Sequence, residues 1–198
     1  RAVAVLPVIL FHLNSPIFPG GYVGVDVFFV ISGYLITATL VKEIRAGDFS
    51  IIRFYERRCR RILPALFAMI AFCLVVGSLI FLPDDLRNLG KSVFATSIFV
   101  SNVLFWKEID YFAPSAELLP LLHTWSLAVE EQFYIFFPLL LWALGRWWKG
   151  AFVLPILILA VLSLAISIVQ VGTAPSAAYY LLPSRAWELL TGSLIAVG

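Results

Sequence analysis

Apolar runs long enough to cross a bilayer recur along this chain, and nothing else limits its fold so tightly. They fall at about 1–13, 25–41, 62–82, 92–106, 124–145, 151–170 and 186–198, separated by breaks rich in Pro, Gly or charge. A helical span needs roughly 20 apolar residues, so the first and last read as spans cut short. Composition agrees: 62% of residues are hydrophobic and 13% charged, against about 45–50% and 25% in soluble domains. In lipid only helices and closed barrels satisfy their own backbone groups, and these runs are too long for barrel strands. The expectation is an all-α fold: a polytopic transmembrane helical bundle, one membrane domain over 1–198, with about seven spans. The chain starts at Arg1 and stops inside LLTGSLIAVG, which reads as part of a longer domain.

Sidedness follows from charge. The break KEIRAGDFSIIRFYERRCRR carries seven basic residues against three acidic ones, and the positive-inside rule assigns it to the cytoplasm. Parity then puts the Pro- and Gly-rich connection NSPIFPGGYVG outside, along with the 83–91 segment PDDLRNLGK. With a fourth span at 92–106, parity puts 107–123 inside, with room for a short re-entrant piece. The connection RWWKG at 146–150 then falls outside, against the rule.

Ionisable groups at membrane depth are costly and mark function by default. Arg1 and His12 are nearly the only such groups in RAVAVLPVILFH, and eleven residues is three helical turns plus about 20°, so they share one stripe. Imidazole titrates near neutrality without help, which suits His12 to handling a proton. On the second span Asp26, Gly33 and Thr37 fall on one side of a helix. In HTWSLAVEEQFY, His123, Ser126 and Glu130 follow a stripe, with Glu131 a quarter turn away. Two adjacent acids in an apolar helix predict that at least one has a buried cationic or imidazole partner. Arg185 and Glu188, spaced i, i+3, are placed to pair. The arginine cluster exceeds what orientation requires, and guanidinium forks match phosphate, pointing to a phosphorylated cofactor such as coenzyme A or to lipid headgroups. Cys59 and Cys73 support neither a disulfide framework nor, with two distant histidines, a metal site. Nucleic acid is excluded for want of a soluble basic surface with interleaved aromatics.

Five segments in order, Arg1 to His12, GGYVGVDVFFVISGYLIT at 20–37, FYERRCRRILPAL at 54–66, HTWSLAVEEQFY at 123–134 and LPSRAWELLTG at 182–192, together resemble the membrane acyltransferase family 3. The resemblance implies a bundle of about ten helices in the bacterial inner membrane. It implies an enzyme that transfers an acyl group, usually acetyl, from cytoplasmic acyl-coenzyme A to a hydroxyl of a cell-surface carbohydrate such as O-antigen, peptidoglycan or exopolysaccharide. Some members carry a C-terminal extracytoplasmic domain. By the same resemblance, Arg1 and His12 match the essential pair, Arg57, Arg58, Arg60 and Arg61 cover a donor-binding RxxR element, and Glu130 and Glu131 match an acidic motif. His12, oriented by a carboxylate, would deprotonate the acceptor, with Asp26, His123 and Ser126 in support and no metal. The rival expectation is a transporter or flippase whose intramembrane His, Glu and Arg groups line a proton or substrate path.

Overall fold

The computed structural model describes residues 2–13, 19–108, 119–148 and 151–198. Arg1, residues 14–18 of the 14–24 connection, most of 107–123, where the re-entrant piece is expected, and residues 149–150 lie outside the described residues. The secondary structure described is helical: α1 (Ala2–His12), α2 (Gly24–Arg45), α3 (Ile51–Ile80), α4 (Pro83–Ser97), α5 (Ser101–Glu108), α6 (Thr124–Trp147), α7 (Val153–Thr173), α8 (Pro175–Tyr180) and α9 (Leu182–Val197), with a 3₁₀ turn over Gly21–Val23 before α2. Four segments are long and apolar enough to cross a membrane: Gly21–Arg45, Ile51–Ile80, Thr124–Trp147 and Val153–Thr173. Their exposure separates two roles. Only 17% of the apolar windows of α3 and α7 is buried, against 56% for α6. Phe72, Leu79, Leu162 and Val169 are among the large side chains left exposed, as lipid-facing helices require, while α6 turns more than half of its apolar window to protein.

Two compact units emerge. One holds Arg1–Phe49, Phe136–Thr173 and Pro183–Gly198; the other holds Ser50–Ile135 and Ala174–Leu182.

In the first unit, α1 packs antiparallel on α2. A Cβ on Gly21 would collide with the Pro7 carbonyl, and one on Gly24 with the Ala4 carbonyl, so the two backbones approach only because glycine stands there. Along the same helix, α9 runs parallel to α2. Gly33 lies against the Leu189 backbone and Gly192 against the Val30 backbone, and Thr37 donates to Ser193 Oγ at 2.8 Å. This is close packing through small residues with hydroxyls as glue. α2 ends in a Schellman motif: Gly47, at φ 70°, donates to Ile44 O (3.1 Å) and Asp48 N–H to Glu43 O (3.0 Å).

In the second unit, the 92–106 stretch departs from expectation. α4 stops at Ser97 and α5 starts at Ser101. Between them Phe99 takes φ 56°, donating to Thr96 O (3.1 Å), while Val100 N–H reaches Ala95 O (2.8 Å). This is the same Schellman closure with phenylalanine at the left-handed position. Gln132 holds it, its Nε2 donating to Phe99 O (2.9 Å) and to Asn102 Oδ1 (2.8 Å). The PDDLRNLGK segment, expected as a connection, is the start of α4, with Pro83 at its first turn and Asp84 and Asp85 favoured there by the helix dipole.

Neither α4 nor α5 is by itself as long as the four spanning segments, and the directions of the longer helices bear on the conflict over RWWKG. In the second unit α6 begins antiparallel to α3, with Arg58 at Glu131 and Met69 at His123. In the first unit the ends of α2 and α6 coincide, where a Cβ on Gly145 would meet Ile44 Cγ2 at 2.5 Å. Arg146 and Trp147, at the end of α6, therefore lie at the same end as Lys42 and Arg45 of α2, which fits the basic character of RWWKG.

Candidate active site

The acid pair of α6 meets its cation. Arg58 Nη2 lies 2.7 Å from Glu131 Oε1 and Nε donates to Oε2 at 3.5 Å. Both side chains are mostly buried, at 15% and 11% exposed. The guanidinium also stacks over the Tyr134 ring, 3.6 Å from its centre, a cation–π contact strengthened by desolvation. Tyr134 in turn donates its hydroxyl to Glu130 Oε1 at 2.6 Å. One plane of guanidinium and one phenol thus hold two adjacent carboxylates. The expectation of a buried cationic partner is met.

Tyr55 steadies the same stretch of α6. Pro138 has no N–H to offer the Tyr134 carbonyl one turn back, and the Tyr55 hydroxyl donates to Ile135 O at 2.8 Å, with Tyr134 O at 3.5 Å.

The four arginines expected as one group divide. Arg58 points to Glu131, whereas Arg57, Arg60 and Arg61 are exposed, and their i, i+3, i+4 spacing gives them one face of α3. On that face Arg60 pairs with Glu56 at 2.6 Å. The apolar length of α3 begins only after Arg61, so all four precede it.

In the first unit Asp26 is held by Arg185, Nη2 to Oδ1 at 2.7 Å. Arg185 Nη1 lies 2.9 Å from Glu188 Oε1, in ion-pair range though outside hydrogen-bond alignment, so the expected i, i+3 pair is present. Glu188 is 1% exposed, and its Oε2 meets no hydrogen-bond partner among the described residues.

His12 closes α1 and is exposed. Its Nδ1 lies 2.8 Å from Val8 O. A carbonyl only accepts, so Nδ1 is the donor in this contact and Nε2 is the ring nitrogen not engaged by it. Since Gly21 abuts Pro7 and Phe11 while Gly24 abuts Ala4 and Val8, Asp26 sits about two helical turns from His12 along α1. Arg1, its expected stripe partner, lies outside the described residues.

His123 precedes α6 instead of starting it; its Nε2 lies 3.2 Å from Met69 Sδ, and Ser126 donates to His123 O at 3.2 Å. Sequence reasoning passed over Tyr134 and the Asp26–Arg185 pair. Tyr134, one turn after Glu130, was open to detection by spacing; Arg185, 159 residues from Asp26, was not. Tyr180 is buried beside Asn102, whose Nδ2 donates to Tyr180 O at 3.1 Å. Burial and the neighbouring Tyr179 push its hydroxyl up to about 12.

Comparison with known proteins adds the class. A family described as an acyltransferase domain matches residues 1–197. The chain is similar to the peptidoglycan O-acetyltransferase OatA of Listeria monocytogenes, 41% identical over 202 residues that cover 99% of this chain and 32% of that protein. It is also similar to the O-acetyltransferase OatA of Staphylococcus aureus, 37% identical over 203 residues, covering 99% and 33%. The chain spans about a third of the length of these curated relatives. No solved structure matches.

Proposed function

The chain belongs to the acyltransferase-domain family, and from that premise we propose that it forms part of a multi-pass O-acetyltransferase of the bacterial inner membrane. The enzyme takes acetyl from cytoplasmic acetyl-coenzyme A and delivers it to a hydroxyl of a cell-surface carbohydrate, peptidoglycan being the acceptor favoured by the relatives' names. The observation that carries the chemistry is the His12 hydrogen bond to Val8 O. With Nδ1 engaged on a carbonyl, Nε2 is the ring nitrogen available to the acceptor hydroxyl.

In the proposed reaction His12 Nε2 takes the proton of the attacking hydroxyl as its oxygen adds to the thioester carbonyl carbon. The carbon–sulfur bond then breaks, the thiolate of coenzyme A leaves, and the proton passes to it. Arg57, Arg60 and Arg61, on the exposed face of α3, suit the phosphates of the donor as forks for oxyanions. Arg58 belongs to the same element but works through Glu131, keeping the acidic motif in place. Arg1 completes the donor-binding set, and Glu130 and Glu131 supply the carboxylates that balance charge during transfer.

The test uses the full-length protein in proteoliposomes supplied with acetyl-coenzyme A and a soluble peptidoglycan fragment. His12→Ala is expected to lower O-acetylation by about 10²- to 10⁴-fold, the usual worth of a general base. Wild-type acetylation by His12→Ala would end the assignment.

A further inference from the structure

The cytoplasm-assigned end of the first unit carries a feature that acyl transfer leaves unused. A cavity of about 180 Å³ opens between the ends of α2 and α6, lined by Ile44, Gly47, Phe49, Trp142, Gly145 and Arg146. Arg146 is the one charged group in that lining. It is exposed and makes no ion pair among the described residues. Its floor is fixed by two glycines: Gly145 lets Ile44 approach, and Gly47 supplies the left-handed turn.

The face of α6 leading to this cavity is built for lipid. Leu139, Trp142 and Arg146 recur at intervals of three and four, one stripe of the helix, and all three are exposed. Trp142 packs its ring on Trp147, centres 6.0 Å apart, and Trp148 beside them is exposed too. Clustered exposed tryptophans at the end of a membrane helix mark the headgroup level. The stripe therefore runs from acyl-chain depth to the interface and ends in a cation. The side is that of Lys42 and Arg45, where the leaflet is anionic.

We propose that this cavity seats the headgroup of an anionic phospholipid, with Arg146 holding the phosphate, Trp142 covering the glycerol and Leu139 lying along an acyl chain. The volume is about that of six waters, room for a phosphate with part of its glycerol. The lining shares no residue with the donor and acceptor groups assigned above, and the proposal does not depend on them.

Native mass spectrometry of the full-length protein in detergent tests it, with phosphatidylglycerol and phosphatidylcholine offered at equal concentration. Wild type is expected to retain phosphatidylglycerol about fivefold better, the worth of one basic residue near an anionic surface. Arg146→Gln brings the two lipids to parity, and Trp142→Ala lowers retention of both; Arg87→Gln, on α4, changes neither. Equal retention by wild type, or a preference that survives Arg146→Gln, overturns the proposal. So does displacement of the lipid by free glycerol phosphate, which would make the ligand a soluble phosphate.

Discussion

The two units bury charge in apolar surroundings by opposite economies. In the first, a single guanidinium, Arg185, faces two carboxyls, Asp26 and Glu188, and the helices around it meet backbone to backbone through Gly33 and Gly192. In the second, Arg58 serves Glu131 while the phenol of Tyr134 serves Glu130, and the partners are large. The first arrangement is compact and dependent on one residue; the second spreads the same task over a guanidinium, a ring and a hydroxyl. The difference predicts unequal tolerance to mutation.

The largest expected effect comes from removing the shared cation. Breaking a buried pair by deleting one member costs about 3–5 kcal/mol, and that is the expectation for Arg58→Ala. Arg185→Ala should cost more, because two carboxyls lose the same partner; detergent unfolding curves of both variants measure the gap, and equal losses would erase the contrast. Next comes Gly192→Ala, which drives a methyl into the Val30 carbonyl and should cost about 3 kcal/mol, the upper range of overpacking. No glycine plays that part beside Arg58, so the penalty marks the first unit alone.

Tyr134→Phe removes a hydroxyl from a carboxylate and should cost about 2 kcal/mol. A thermal shift near zero would mean that the ring over Arg58, not the hydroxyl, is what matters there. Smallest is Arg60→Ala. Its pair with Glu56 is exposed on both sides and should be worth under about 0.5 kcal/mol, so the variant keeps wild-type stability and reports on donor binding alone.

Legibility in the sequence followed local signals. The apolar run at 124–145 became α6 at Thr124–Trp147, and that at 25–41 became α2 at Gly24–Arg45, because periodicity and turn residues agree there. The run at 92–106 misled because its stop is written without glycine or proline. Phe99 takes the left-handed position that Gly47 takes after α2, and the hydrogen bonds of Gln132, more than 30 residues on, hold it there. Five of the run's fifteen residues are polar, and four of them, Ser92, Thr96, Ser101 and Asn102, are buried; that density was the available warning. At the candidate site the need for a cation beside Glu130 and Glu131 was readable from the cost of burying acid. Which cation was not, since 73 residues separate Arg58 from Glu131 and no local rule links them.

The pairing of α9 with α2 reaches past its own contacts. Asp26 meets Arg185 near the start of both helices and Thr37 meets Ser193 further on, so the two run the same way. Helices that share a direction carry their ends to one solution, and the last turn of α9 therefore opens where Lys42 and Arg45 do.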